Sequence, residues 1–337
     1  MKKLSYVLAL LGLLLGTLLV GWYDVGRVAT EAFSVGWGGF ALLIAWQLLI
    51  FVILGIAWDV LTQRGPNRTI WVFVWGRMVR DSSANCLPFS QVGGFVFGAR
   101  AVTLLGITWP VATASTVVDV TAEFLAQLAF TALGLAILLV RAPQSTLATP
   151  LELGLGLAFA AALAFIVLQR RAGPVFARIG HRIAGRWLNE AQDRLMSVQV
   201  AMSAIYRQPV RLALGWAVHL LGWVTTGVAG WLAYRLLGVP IDLESALAIE
   251  ALLSALAALA FLVPMNAGVQ EAGYAGLGAI FGVPPEISLS VSLIRRARDL
   301  VIGVPILLIW QLAEFRRLRL LSAAKLPSEV ESPGAVE

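Results

Sequence analysis

Charge is what this chain has least of. Only 13% of its 337 residues are Asp, Glu, Lys or Arg, about half the share of ~25% found in soluble domains. With 59% hydrophobic residues and a mean hydropathy of +0.84, the chain has more apolar surface than a soluble fold can bury. It is read as an all-α polytopic membrane protein. Cysteine is nearly absent. Cys86 stands alone, which excludes an intramolecular disulfide and a cysteine-only metal cage. The two histidines, His181 and His219, exclude a histidine-rich metal centre. A Walker-type loop, a G-x-S-x-G elbow and a cluster of metal-ligand spacings are all missing. No catalytic residue, metal or cofactor is therefore expected.

What is present is a series of apolar runs punctuated by arginine. The net charge is +6, but the basic residues sit beside apolar runs, where they report topology and not nucleic-acid binding. A span needs about 20 apolar residues. Residues 4–20, 39–58, 111–140, 151–168, 212–237 and 289–312 qualify. The first of these follows Lys2 and Lys3 but has no small-x-small cleavage site after it, so it is read as an uncleaved span. Two further runs, 69–106 and 245–282, are broken by "RDSSANCLPFSQVGG" and "LVPMNAGVQEAG". Each predicts a re-entrant helical hairpin, whose irregular tip is tolerated at membrane depth only inside protein or beside water.

With hairpins that return to the side they came from, Lys2, Lys3, Arg64, Arg68, the arginines from Arg170 to Arg211, Arg316, Arg317, Arg319 and Lys325 all face the cytoplasm. Both termini are then cytoplasmic, and Arg141 faces outward. The expected architecture is about six spans plus two hairpins, or eight segments if the hairpins are counted as spans. Within 173–206, Phe176, Ile179, Ile183 and Trp187 share one helical face while Arg178, Arg182 and Arg186 share another. That pattern predicts a basic amphipathic helix on the cytoplasmic membrane surface, against anionic headgroups. The tail 321–337 reads as disordered.

The chain also repeats. Pro88 and Pro264 lie 176 positions apart, each ending an apolar arm before a glycine-containing turn. The same offset carries 40–57 onto 216–233, 69–84 onto 245–260 and 112–140 onto 288–316. Two halves, 1–150 and 151–320, each read as span, hairpin, span, and the topology makes them inverted. Inverted repeats with broken helices are a transporter pattern, with the site where the repeats meet.

Asp119, Glu123 and Gln127 form a stripe at i, i+4, i+8. The offset sets Asp119 against Arg295 and Glu123 against Asp299. This predicts that Arg295 or Arg296 pairs with Asp119 or Glu123 across the repeat, with Arg298 free to meet an anionic group. Charges at membrane depth mark a functional site by default. Asn266, Gln270 and Glu271 occupy the second turn, where Glu271 is open to two readings, helix cap or functional acid. The hairpin turns are placed at Asn85, Pro88, Ser90, Gln91, Gly93 and Gly94, and at Pro264 and Gly268. Arg77, Arg80 and Asp81 precede the first turn and Arg100 follows it. His219 reads as a hydrogen-bonded structural histidine, and Glu250 as either buried and paired or near the surface.

The stretches "NCLPFSQVGGFVFGAR", "VVDVTAEFLAQ", "VPMNAGVQEAG" and "LIRRARDLVIGVP" give the chain its resemblance to a family. It resembles the lysylphosphatidylglycerol synthase transmembrane, or flippase-like, superfamily over most of its length, and within it the bacterial hopanoid-biosynthesis-associated membrane proteins. The resemblance implies a lipid transporter of the bacterial inner membrane. Its partners would be membrane lipids, among them hopanoids, and hopanoid-synthesis enzymes. Members with synthase activity carry a C-terminal soluble aminoacyltransferase domain. This chain ends soon after its last span, so that activity is not expected. Relatives often have an acid just after the first-turn glycines, where this chain has Phe95. Two other classes stay open: a lipid-modifying enzyme with Glu271 or Asp119 as base, and a scaffold for soluble lipid-synthesis enzymes.

Overall fold

The computed structural model describes residues 25–62, 69–87, 90–143, 149, 152–164, 166–167, 188–260 and 263–325. Among them every regular element is a helix. They are α1 (Val25–Ser34), α2 (Gly36–Leu61), α3 (Trp71–Cys86), α4 (Ser90–Leu104), α5 (Trp109–Arg141), α6 (Glu152–Ala164), α7 (Leu188–Tyr206), α8 (Pro209–Leu236), α9 (Leu243–Leu259), α10 (Val269–Ile280) and α11 (Pro285–Lys325). Of these, α2, α5 and α8 are long and apolar enough to cross a membrane. The other apolar helices are shorter, or are interrupted by charge. The expected span at 4–20, the amphipathic stretch 173–187 and the tail beyond residue 325 lie outside the described residues.

Local sequence explains the boundaries. Pro110 in the first turn of α5 and Pro209 at the start of α8 occupy positions where a missing N–H costs nothing. Leu87 is extended (φ −109°, ψ 144°), as the proline that follows it in sequence demands, and α3 stops there. Asp242 caps α9, its carboxylate accepting from the Ser245 backbone N–H at 2.9 Å and from the Ser245 hydroxyl at 2.9 Å.

α2 lies along α8, and α3 packs on α4 as α9 does on α10. Each hairpin also docks on the other half: α3 against α11, and α9 against α5. The largest apolar core joins α5, α8, α9, α10 and α11 around Tyr234, Ile249, Leu252 and Tyr274. α7 closes the bundle near the start of α5, where Met202 and Ile205 bury against Leu61, Ala114 and Val118.

Two expectations change. The first hairpin turn is tighter than its sequence suggests: Asn85 still belongs to α3, and Ser90, Gln91, Gly93 and Gly94 already belong to α4. Pro88 lies outside the described residues. Gly94 serves helix packing and not the turn, as does Gly98 further along α4. A β-carbon on Gly94 would sit 2.7 Å from the Arg80 carbonyl oxygen, and one on Gly98 would sit 2.8 Å from the Arg80 β-carbon. This small-x-x-x-small stripe lets α3 and α4 touch through their backbones. At the other end of the chain, α11 continues to Lys325, past the boundary at 320, because Arg316 to Lys325 holds no glycine or proline to stop it.

Candidate functional site

Among the described residues, most buried ion pairs gather in two clusters, one on α3 and α5 and the other on α9, α10 and α11. In the first, α3 presents Arg77, Arg80 and Asp81 at i, i+3, i+4, which places them on one helical face. Arg77 donates from Nε to Asp81 Oδ2 (2.8 Å) and from Nη1 to Glu123 Oε2 (2.9 Å), with a second bond from Nη2 to Glu123 Oε1. Arg80 donates from Nη1 to Asp119 Oδ2 (2.8 Å) and from Nη2 to Glu123 Oε2, and its guanidinium stacks 4.5 Å above the Phe95 ring. Asp119 is fully buried and also accepts from His219 Nε2 at 2.9 Å.

In the second cluster the signs are exchanged. Here the hairpin carries the acids and the long helix the arginines. Glu250 on α9, 3% exposed, accepts from Arg295 Nη1 (2.7 Å) and from the Tyr274 hydroxyl, which itself accepts from Arg295 Nη1 at 3.0 Å. Gly230 makes the room: a β-carbon there would lie 2.5 Å from Glu250 Oε1. Arg296 donates to Glu271 from Nε (2.6 Å) and Nη2 (3.1 Å), and to the carbonyls of Met265 (3.1 Å) and Asn266 (3.4 Å). Glu271 accepts from the Gly268 N–H at 2.8 Å as well. It thus caps its helix and also pairs with Arg296. Arg298 pairs with its neighbour Asp299 at 2.8 Å.

The expected partnership across the repeat is therefore corrected. Arg295 and Arg296 do not bond Asp119 or Glu123. Arg295 and Arg296 meet acids of α9 and α10 instead, while Arg77 and Arg80 of α3 take Asp119 and Glu123; the pairs His219–Asp119, Arg100–Glu314 and Arg141–Glu244 join earlier and later parts of the chain. The residues expected at the site do come together, around a cavity instead of in bonds. A cavity of about 460 Å³ lies between the halves. Its wall includes Glu123, Gln127, Asn266, Gln270, Arg295, Arg296, Arg298 and Asp299, joined by Arg77, Arg80, Asp81, Asn85 and Glu250. Asp119 and Glu271 do not line this wall, but each holds an arginine that does.

The amides are tied down too. Gln127 donates to the Ser254 carbonyl at 2.9 Å, and Gln270 to the Ser292 hydroxyl at 2.8 Å. Arg77, Arg80 and Asp81 were visible in the sequence through their helical spacing. Tyr274 carried no such signal, since it sits in an apolar, glycine-rich helix.

The tip of the second hairpin has an unusual backbone. Met265 (φ 56°) and Asn266 (φ 48°) are both left-handed, followed by Gly268 (φ 76°). Two left-handed residues that are not glycine cost about 1–3 kcal/mol each and persist only where surroundings hold them. Arg296, bonded to both carbonyls, supplies that hold.

Arrays of this kind offer both donors and acceptors to a charged or strongly polar group taken out of water. Among the described residues no group of His, Cys, Asp and Glu is arranged to hold a metal ion.

Comparison with known protein families finds the one described as Lysylphosphatidylglycerol synthase TM region, matched over residues 9–306. No match to a curated protein or to a solved structure was found.

Proposed function

Since the chain belongs to the family of the lysylphosphatidylglycerol synthase transmembrane region, we propose that it moves a lipid across its membrane. The polar headgroup passes through the charged cavity, and the apolar part stays against the outer faces of the bundle. The observation that carries this reading is the cavity itself. About 460 Å³, walled by paired charges from both halves, lies inside a bundle whose outer surface shows Leu214, Leu221, Val304 and Leu308. That volume suits a small headgroup. In this reading the chain sits in a bacterial inner membrane as about six spans and two re-entrant hairpins. The halves are inverted, both termini are cytoplasmic, and the protein does no chemistry on its cargo.

Hopanoids and related lipids are the first cargo to test, because the hairpin motifs resemble those of hopanoid-associated members. The charged wall favours a lipid with a polar group over a bare hydrocarbon. Purified protein in vesicles should accelerate the redistribution between leaflets of a hopanoid bearing a polar side chain. Arg77→Ala and Arg296→Ala should each slow it. Rates equal to those of protein-free vesicles, for hopanoid and phospholipid alike, would sink the proposal. Formation of a new lipid in detergent, without any bilayer, would favour the enzyme reading instead.

A further inference from the structure

The two clusters differ in their balance of charge. In the second, Arg295, Arg296 and Arg298 face Glu250, Glu271 and Asp299. In the first, two arginines, Arg77 and Arg80, face three carboxylates, Asp81, Asp119 and Glu123. With His219 neutral and the three carboxylates ionised, this network carries one net negative charge; Asp81 and Glu123 reach the cavity, but Asp119 lies fully buried behind them, where uncompensated charge is costly. A proton on His219 would balance it.

His219 is fully buried. Its Nε2–H points at the Asp119 carboxylate, while its other ring nitrogen, Nδ1, has no hydrogen-bond partner. A permanent imidazolium would leave the second N–H without an acceptor, and a permanent neutral ring leaves the network one proton short. The two penalties oppose each other, which is the condition for a proton that comes and goes.

Other charges around α8 do not supply the missing cation. Asp59 on α2 is buried and has contacts of its own. From α9, Glu250 meets α8 at Gly230, three turns from His219. The described side chains of α7, residues 195–206, include no charge. Arg295, Arg298 and Asp299 of α11 belong to the second cluster, and Arg211 on α8 itself donates to the Thr62 carbonyl.

We propose that His219, oriented by Asp119, is a reversible proton-binding site inside the bundle, linked to headgroup entry into the cavity. The link rests on the lipid-transport reading. An anionic group that draws Arg77 or Arg80 away from Glu123 and Asp119 deepens the negative balance behind it, and a proton on Nδ1 restores it. Cargo and proton then favour each other's binding.

The test uses the full chain in lipid nanodiscs, labelled with nitrogen-15 histidine. His181→Gln leaves His219 as the single imidazole. Ring nitrogen signals are followed from about pH 5 to about pH 8, where histidine charge ordinarily changes. The expected result is an Nε2–H tautomer at the upper end that converts to the doubly protonated ring at the lower end. Asp119→Asn should lose that conversion over the same range. A ring that stays neutral throughout, or charged throughout, overturns the site. Lipid movement in vesicles gives the linkage. Wild type should change several-fold in rate across the range, and His219→Gln, which keeps a donor toward Asp119, should give a flat profile. Identical profiles overturn the linkage. The spectra need no lipid movement, so a chain that moves no lipid at any pH counts against the transport reading while the spectra still decide the proton site.

Discussion

One guanidinium, that of Arg296, joins three parts of the second half. It neutralises Glu271, caps the carbonyls of Met265 and Asn266, and stands in the cavity wall. Removing one partner of a buried pair typically costs about 3–5 kcal/mol, because the other charge is left uncompensated. Arg296→Gln and Glu271→Gln should each destabilise the protein on that scale, and the double substitution should recover part of the loss. Arg296→Gln with Glu123→Gln should instead be additive within about 0.5 kcal/mol, since the two side chains have no shared bond. Equilibrium unfolding in detergent measures both cycles. Strong coupling between Arg296 and Glu123 would restore the partnership that the sequence offset suggested. The left-handed tip gives a second residue-scale test. Met265→Gly relieves a conformation that disfavours a side chain by about 1–2 kcal/mol. It should hold or raise stability, whereas Met265→Val should lower it.

At the scale of elements, the hairpins depend on their ends and on their seams. The Ser245 backbone N–H holds the Asp242 carboxyl below the usual range, helped by the Ser245 hydroxyl and by Arg141. A carboxylate whose folded value is depressed adds stability above its unfolded value, near pH 4. That stability is lost as pH falls through the lower folded value. Hydrogen exchange at the start of α9, taken relative to the intrinsic amide rate at each pH, should therefore quicken below about pH 4 in the wild type. In Asp242→Ala it should be quick already at neutral pH, with about 0.5–2 kcal/mol of local stability gone. The seam between α3 and α4 is the other sensitive feature. Gly98→Leu forces a side chain against the Arg80 β-carbon and the Gly76 carbonyl. Overpacking of this kind typically costs about 1–3 kcal/mol. It should also disturb the Arg80–Asp119 contact, visible as reduced thermal stability even in lipid.

At the scale of the molecule, α3 and α4 on one side and α9 and α10 on the other help to wall the cavity, and α3 docks on α11 as α9 does on α5. Their relation to the membrane is open to a direct test. Basic residues at 170–211 and beyond 316 predict that both stretches are cytoplasmic, and that 141–149 lies outside. Reporter fusions at Gln144 and Lys325 should come out on opposite sides. Both on one side would remove the inverted arrangement and, with it, the picture of a headgroup path between inverted halves.

Much of this was fixed by local pattern. Apolar runs of span length, the proline breaks at 88 and 264 and the common offset of 176 each depend on neighbours in sequence, and hydrophobic periodicity reads such features directly. The stripe Asp119, Glu123, Gln127 was legible for the same reason. Partners were not. His219 and Asp119 are 100 positions apart and Arg295 and Glu250 are 45 apart, and the sequence offers each arginine several acids of equal merit. Which one it meets depends on packing: α10 lies against α11, where Glu271 meets Arg296, while the long side chains of Arg77, Arg80 and Arg295 reach acids on helices that theirs do not pack against closely. The glycines show the same division. Their presence near the first turn was plain in the sequence, but their use, in bringing α3 and α4 into backbone contact, exists only where the two helices meet. Charge is a property of residues, whereas its compensation is a property of packing.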